Sequence, residues 1–341
     1  MTGRLVGLQA QVPTDPYTGL WSRIEGFRPE ELSDLIAERA AVRAGLLRST
    51  IHLVSADDAL AIQPLTQAVF AGVFRSQFAK SMGPDAVLDD VVAAGRELLL
   101  GAPRTRAALA TELGPRWPGT EPAILAHAVV HHLPLVQIPP RGLWGGSGQP
   151  TWALTPEWIG REQADGDPDA LVLRYLAAFG PASVADARTW SGLTGLREVV
   201  ERLRPHLRSF RDERGRELVD VEDGPLPDPA TPAPPRFLPE YDNVGLSHQD
   251  RSRLFAGLGP GAPLPRGGRA IGTLLADGFY RANWQLAEGG DAVTLTIDRF
   301  APRDDDPPAT VEAIVAEGLG LLGFMAPDAA AHRVQFIPDV A

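Results

Sequence analysis

The middle of the chain alternates between apolar residues at helical spacing and apolar residues at strand spacing. Residues 104–114 and 121–133 repeat apolar side chains every three or four positions, as amphipathic helices do. Residues 135–140 and 151–155 are short apolar runs, and the segment 141–150 between them is rich in glycine. Helix, turn, helix, strand, loop and strand is the order of a winged helix.

The same order recurs about seventy residues later in the chain. Helices are predicted at 169–180, 183–192 and 193–205, and a hairpin is predicted at 207–223. The two regions are therefore predicted to be tandem winged helices, and the first 85 residues are predicted to be a third, less regular copy.

The amino-terminal region carries its own start signals. Asp15-Pro16 resembles a helix N-cap followed by proline at the first helical position, and this helix is expected to run through Ile24. Residues 41–55 are rich in branched side chains and are predicted to be extended. Ser55 then caps a further helix, and Asp58 stands three residues on, close to a capping box.

The carboxyl-terminal region has a different pattern. Residues 224–237 contain six prolines and are predicted to be a stiff linker or a surface crossing. Residues 270–300 are predicted to be rich in strands, with hairpin turns at Asp277-Gly278 and Gly289-Gly290. A closing helix is predicted at 308–325.

The predicted fold is mainly helical with small β-hairpin wings, an α+β class that combines three tandem winged helices with a β-containing carboxyl-terminal region. The expected divisions are a first winged helix at 1–85, a second at 86–165, a third at 166–224, a proline-rich linker at 225–236, and the β-rich region with its closing helix at 237–341.

Composition narrows the class of protein. The 341 residues include no cysteine, which excludes disulfides, thiolate metal sites and a cysteine nucleophile. No run of eighteen apolar residues and no signal-peptide pattern occurs, so we expect no membrane span and, by default, a cytoplasmic location.

The net charge of −11 argues weakly against a nucleic-acid partner, but the charges are segregated. Residues 174–216 hold nine arginines and five acidic residues, whereas residues 217–242 hold seven acidic residues and one arginine. Arginine binds phosphate with two parallel hydrogen bonds, so the basic segment could contact DNA. A GC-rich coding bias would equally explain why arginine replaces lysine almost everywhere.

Two neutral amides, Gln9 and Gln11, stand on either side of Ala10 in an otherwise apolar segment. A glutamine donates and accepts hydrogen bonds but does not titrate near neutral pH. The pair could tie strand ends together, or it could hold one water molecule in place.

Several other side chains are candidates for function. His52 alternates with Arg48 and Thr50, so the three would share one face of a strand, either in a channel or at a strand edge. Asp242 and His248 stand in a polar segment that could assist acid-base chemistry or form a network of turns.

Contacts to DNA are predicted at Arg48 and at two further places. Arg141 and Trp144 lie on the glycine-rich loop, which could enter a groove or remain a solvent-exposed hairpin. The candidates for phosphate contacts in the third predicted winged helix, which could also form a solvated helix face, are Arg197, Arg202, Arg204, Arg208 and Arg211.

His127 and His131 have the spacing of two metal ligands on one helix face. No glutamate stands between them and no third ligand is apparent, so we predict no metal site there.

Seven segments of the chain, taken in order, resemble the AlkZ-type winged-helix DNA glycosylase family. The segments are LVGLQAQ, LWSRIEGFRPEEL, RSTIHLV, LVQIPPRGLWGGSGQPTW, GPASVADARTWSGL, LPEYDNVGLSHQDRSR and LLADGFYRANWQL. The resemblance covers essentially the whole chain. It implies three winged helices curled around a basic channel, and a catalytic motif of glutamine, any residue, glutamine that falls on Gln9 and Gln11. Members of the family usually carry about one more helix ahead of this motif.

The resemblance implies a monofunctional glycosylase in base excision repair. Its partner would be double-stranded DNA carrying bulky or cationic alkyl lesions, or an interstrand crosslink. A purine alkylated at N7 is already cationic and leaves as a neutral base, so two amides that orient a water could suffice. No metal or organic cofactor is implied, and no lysine lies near the motif to form a Schiff base. His52, Asp242 and His248 would support the pair.

The alternative is a non-catalytic winged-helix protein, either a transcriptional regulator or a lesion sensor. In that case the two glutamines would be structural and binding would depend on DNA sequence, usually through a dimer. No dimerisation heptad is apparent in the sequence, which slightly favours the glycosylase over the regulator. We expect a monomer in the cytoplasm, associated with the nucleoid.

Overall fold

The structure of the protein is a computed structural model, which describes residues 1–255, 272–289, 291–299 and 307–337. It divides into two compact units. The first comprises Met1–Thr14, Arg28–Pro225 and Leu246–Gln249. The second comprises Asp15–Phe27, Leu226–Gly245 and Asp250–Ala341. Residues 15–27, which fall inside the first predicted region, are therefore grouped with the carboxyl-terminal part of the chain.

The first unit is built on a six-stranded antiparallel sheet. In spatial order, its strands are β1 (Leu8–Gln9), β3 (Ile51–Ser55), β2 (Ala41–Gly45), β5 (Leu135–Gln137), β6 (Thr151–Leu154) and β4 (Arg104–Thr105). A separate two-stranded sheet pairs β7 (Leu207–Arg211) with β8 (Glu217–Val221). The two predicted strand pairs are thus present as β5–β6 and β7–β8.

Helices pack on this framework. Those of the first unit are α2 (Pro29–Ala37), α3 (Ala56–Gln77), α4 (Leu88–Gly101), α5 (Arg106–Leu113), α6 (Pro122–His132), α7 (Thr155–Ile159), α8 (Pro168–Phe179), α9 (Val184–Ser191) and α10 (Leu196–Leu203). Successive side chains of β5 and β6 point to opposite faces of the sheet. They therefore pack alternately into two different hydrophobic cores. Val136 and Ala153 join the core around Trp190, whereas Leu135 and Leu154 join the core around Leu125.

The second unit is a five-stranded sheet covered by one long helix. Its strand order is β13 (Ala331–Phe336), β12 (Ala292–Arg299), β11 (Phe279–Gly289), β10 (Gly272–Ala276) and β9 (Arg236–Leu238). The unit also contains α1 (Asp15–Trp21), α11 (Asn243–Leu246, whose last residue is grouped with the first unit) and α12 (Pro308–Met325).

Helix α12 is long and apolar enough to cross a membrane by length and composition alone, although two glutamates interrupt it. That is weak support for a span, because helices that cover a sheet have the same composition. Ile314, Leu321 and Leu322 of this helix are buried against the sheet residues Leu295 and Ile297.

The mixed α+β class is confirmed, and several local predictions are confirmed with it. The Ser55 hydroxyl caps α3 by accepting a hydrogen bond from the Asp58 N–H. Asp277 and Gly278 both have positive φ and join β10 to β11. Gly290 of the other predicted turn lies outside the described residues, as do the two ends of the predicted stretch at Ala270 and Phe300.

Two local predictions were wrong. The first helix ends at Trp21 rather than Ile24, and Asp15 is its first residue. Residues 41–55 are not one extended segment, because β2 and β3 fold into an antiparallel hairpin. The turn between the strands contains Arg48 and Ser49 at positive φ, a conformation that sequence patterns do not indicate for residues other than glycine, asparagine or aspartate.

Two helix glycines test how closely the first unit is packed. A Cβ on Gly95 of α4 would lie 2.2 Å from a Val129 methyl carbon of α6, whereas a Cβ on Gly72 of α3 would meet nothing within 4 Å. Gly72→Ala should raise the free energy of unfolding by up to about 1 kcal/mol, through helix propensity. Gly95→Ala should lower it by about 1 kcal/mol or more, because overpacking outweighs that gain. Urea denaturation of both variants measures the difference, and equal shifts would contradict the packing described.

Candidate active site

The glutamine pair lies at one edge of the six-stranded sheet, where Gln9 ends strand β1 and Gln11 follows two residues later. Gln9 stands opposite His52 in the register with β3. The ladder continues for one more residue, since the Ala10 N–H donates to the Ile51 carbonyl oxygen at 2.7 Å. Ala10 is fully buried, so its side chain occupies the core while Gln9 and Gln11 project from the other face.

The Arg48 guanidinium fixes the orientation of Gln9. Its Nη2 donates to Gln9 Oε1 at 2.8 Å and lies 3.3 Å from His52 Nε2. Its Nη1 donates to the Trp190 carbonyl oxygen. An arginine can only donate, so the oxygen of the Gln9 amide must face Arg48 and the nitrogen must face away. The sequence reasoning placed Arg48 with the DNA contacts, but the guanidinium binds groups inside the first unit.

His52 is a neutral acceptor in this group. Its Nδ1 lies 3.2 Å from the Thr50 carbonyl oxygen, which can only accept, so Nδ1 carries the proton and Nε2 receives the Arg48 bond. Burial and then the charge of Arg48 lower the pKa of His52 to about 3. His52 therefore cannot serve as an acid or a base near neutral pH. The predicted strand alternation of Arg48, Thr50 and His52 was wrong, since Arg48 lies in the turn, yet Arg48 and His52 do meet.

Gln11 is exposed, and its amide is also oriented by the backbone. Its Oε1 accepts a hydrogen bond from the Ile51 N–H at 3.2 Å. The amide nitrogens of Gln9 and Gln11 donate to no residue in the described part of the chain. Each amide oxygen has a second lone pair, so each glutamine can still donate and accept one further hydrogen bond. The arrangement can hold a small polar molecule such as water without supplying a proton.

Asp242 belongs to the second unit. Its Oδ1 accepts from Arg23 Nη2 at 2.7 Å and from the Val244 N–H at 2.9 Å. The second of these bonds is a turn contact of the kind that the sequence offered as the alternative to acid-base chemistry. Asp242 Oδ2 is buried and has no hydrogen-bond partner in the described residues.

His248 belongs to the first unit and is buried near Tyr175 of α8. Its Nδ1 lies 2.9 Å from Ser247 Oγ, and its ring centroid lies 6.5 Å from that of Tyr175. The neighbouring Gln249 N–H donates to Asp186, which also holds Ser183 in a capping box. These contacts fasten the segment to α9, and the structure does not bring His248 into contact with either glutamine.

Sequence reasoning missed the carboxyl group of Asp15, which it interpreted as a helix cap. Burial raises the pKa of Asp15 to about 7, with further contributions from Glu240 and Asp242. The cluster joins residues more than 200 positions apart, which no local pattern can reveal.

The two loop residues that were predicted to contact DNA, Arg141 and Trp144, form hydrogen bonds within the protein. The Trp144 N–H donates to Ser33 Oγ of α2 at 3.0 Å, and Arg141 Nη1 donates to the Gly148 carbonyl oxygen at 3.1 Å. Arg141 and Trp144 are both half-buried, so the loop is docked along part of its length.

Four of the five arginines that were predicted to contact phosphates form hydrogen bonds with other groups of the protein. Arg202 binds Asp169, and Arg204 binds Glu201 and Glu217. Backbone carbonyl oxygens accept bonds from two more, which are Arg208 and Arg211. Arg197 is exposed and makes no hydrogen bond within the described residues. Exposed ion pairs contribute little stability, so phosphates could replace these partners.

His127 and His131 pack with aromatic rings. The His127 ring stacks on Phe78 with 4.1 Å between centroids, and His131 Nδ1 donates to the His127 carbonyl oxygen. Burial, Arg106 and His131 lower the pKa of His127 to about 4. The described residues contain no group of three or more histidine or acidic side chains placed to hold a metal ion.

The raised pKa of Asp15 predicts a pH-dependent stability. The folded protein keeps a proton on Asp15 between pH 3.8 and about 7 that the unfolded chain has lost. The carboxyl group therefore favours the unfolded state increasingly as pH rises through this window. Asp15→Asn should gain stability relative to the wild type between about pH 4 and 7, and the gain should then level off. Denaturation curves at several pH values measure the difference, and a gain independent of pH would contradict the assignment.

The comparisons with known proteins agree with the sequence resemblance. Residues 2–324 match the family model described as DNA glycosylase AlkZ-like. No curated protein gave a significant match. Among solved structures, the chain is similar to the Streptomyces sahachiroi DNA glycosylase AlkZ, with a TM-score of 0.78 and 20% identity over 98% of this chain and 92% of that one. At that identity the structural likeness shows the fold, and the family model, which spans nearly the whole chain, shows that the protein belongs to the AlkZ-like DNA glycosylase family.

Proposed function

We propose that this protein is a monofunctional DNA glycosylase that hydrolyses the N-glycosidic bond of N7-alkylated purines or of DNA interstrand crosslinks. The observation that carries the proposal is the pair of oriented, untitratable amides at the end of β1 and just after it. Gln9 is held by Arg48 and Gln11 is held by the Ile51 N–H, and neither amide nitrogen donates to another of the described residues.

The chemistry follows from the charge of the lesion. Water oxygen bonds to the sugar carbon C1′, the glycosidic carbon–nitrogen bond breaks, and its electron pair neutralises the cationic base. The proton of the water passes to solvent. Because the base leaves neutral, no acid is needed, and the site gains its rate from orienting the water and from dipoles placed in advance. Uracil and mismatched bases lack this leaving-group charge and should be poor substrates.

Three repeats of one strand pattern support the proposed arrangement of tandem winged helices at 1–85, 86–165 and 166–224. In each region a short extended segment comes just before two helices and pairs with the last strand that follows them. In the second and third regions another helix, α4 or α8, stands ahead of this segment. The pairs are Leu8 with Leu53, Arg104 with Trp152, and Ala182 with Val219. In this arrangement the glutamine pair occupies the first-strand position of the first repeat. We further propose that the protein acts as a monomer on damaged duplex DNA in the cytoplasm.

An excision assay tests the glutamine pair. Labelled duplexes carry one N7-methylguanine or one N7-linked crosslink, and alkali then cleaves the abasic sites. Replacing both glutamines by alanine should slow release by about 100-fold or more, because orientation of the water is lost. Gln77→Ala, in an exposed glutamine at the end of α3, should leave release unchanged.

The outcomes separate the two functions. Release that survives the double substitution would keep the enzyme but remove the site from β1. The absence of release from either duplex, with tight and sequence-dependent binding to DNA, would favour the regulator or lesion sensor.

A second experiment tests Arg48 as the group that orients Gln9. Arg48→Met should lower the single-turnover rate by about 10- to 100-fold while the affinity for DNA stays nearly constant. Arg197→Met is the matched control, since that side chain is exposed. It should weaken binding and reduce the salt slope by about one, with little effect on the rate. If the effects of the two variants were exchanged, Arg48 would be a phosphate contact.

A further inference from the structure

A second arginine, Arg43, is buried directly behind the glutamine pair. It lies in the middle of β2, and its side chain is only 2% exposed. Arg43 Nη2 donates to the Ala10 carbonyl oxygen at 2.7 Å. Ala10 is the residue between Gln9 and Gln11, so this bond holds the peptide group that connects the two amides.

The glycine-rich loop at residues 141–150, called the wing loop, lies against the Arg43 side chain. Gly142 has a φ of +98°, and a Cβ at that position would lie 2.5 Å from Arg43 Cδ and 3.1 Å from Nη1. The backbone of the wing therefore lies against the Arg43 side chain with no room for a methyl group. The Trp144 N–H, bonded to Ser33 of α2, fastens the loop two residues further on.

We propose that Arg43 is a positioning residue for the glutamine pair and that it transmits the position of the wing loop to Ala10. This inference rests on the proposed function of Gln9 and Gln11. Strand β1 ends at Gln9. The Arg43 side chain donates a hydrogen bond to the carbonyl oxygen of the next residue, Ala10, and so holds the chain at the point where it leaves the sheet. A bond from a charged donor is roughly twice as strong as a neutral one, which suits it to fix this peptide group.

The geometry predicts an effect on rate rather than on affinity. If the Ala10 peptide tilts, Gln9 and Gln11 on either side of it must move, and the water that they hold moves from its line of attack. Displacement of a reacting group by about 1 Å can cost about 100-fold in rate. Arg43 is buried, so its loss removes no direct contact to DNA.

The first test replaces Arg43 itself. Arg43→Met should lower kcat for release of N7-methylguanine by about 100-fold, with KM for the duplex changed by less than about threefold. Arg43→Lys keeps one donor and should retain about a tenth of the wild-type kcat. A fall in kcat for Met with partial rescue by Lys supports the inference. A KM effect alone, or wild-type kcat in a folded Met variant, overturns it.

The second test uses a matched pair of wing glycines. Gly142→Ala and Gly145→Ala both place a methyl group at a positive φ, but the Cβ at Gly145 would meet nothing within 4 Å. If the wing acts through Arg43, Gly142→Ala should lower kcat by about tenfold or more, and Gly145→Ala should not. If the wing serves only to bind DNA, the two variants should change KM alike and leave kcat intact, which overturns the inference.

A third measurement separates this inference from the proposed function. Amide hydrogen exchange of the segment 7–12 reports whether Arg43 holds the Ala10 peptide, whatever the catalytic role of the glutamines. Arg43→Met and Gly142→Ala should speed exchange there by about tenfold while α8 keeps its protection. Unchanged exchange overturns the positioning role of Arg43. Faster exchange in a protein whose glutamine double variant remains active would mean that the proposed function has failed and that the link from the wing to β1 stands.

Discussion

The candidate site depends on the hydrogen bonds that the Arg48 guanidinium donates to Gln9 and to the carbonyl oxygen of Trp190. Together with the contact to His52, these bonds join strand β1 to helix α9, whose Trp190 lies 142 residues after Arg48. They fix which end of the Gln9 amide faces Arg48, and burial together with the Arg48 charge keeps His52 neutral. Because Arg48 stands in a strained turn conformation, the surrounding structure must hold it there, and such strain is common at functional sites.

The side chains that surround Gln9 do not exchange protons near neutral pH. The side chains around Gln9 include a permanent cation, Arg48, and an imidazole whose pKa is lowered to about 3 by burial and by that cation. Neither exchanges a proton near pH 7. A site of this kind is poorly suited to protonating a normal base, and it suits a lesion that already carries its own charge. The substrate preference that we propose rests on the oriented amides and on these two groups that do not titrate near neutral pH.

The sequence predicted those parts of the protein that depend on local patterns. The wings, the cap at Ser55 and the turn at Asp277 follow from spacing and from residue type. The turn at Arg48 could not be predicted, because a positive φ at arginine is imposed by distant contacts. The role of Arg43 was missed for a similar reason, although a charged residue within a buried apolar strand was a signal. The raised pKa of Asp15 depends on Glu240 and Asp242, which lie far along the chain.

The most direct test of this account is the pH dependence of excision. Single-turnover release of N7-methylguanine would be measured from pH 5 to 8.5, beside the spontaneous release from free duplex. The account predicts a nearly constant enzymatic rate, because Gln9 and Gln11 do not titrate and His52 stays neutral throughout. A rate that rises or falls tenfold per pH unit within this range would contradict it. Such a profile would show that a titrating side chain, rather than the amide pair, controls the attack of water.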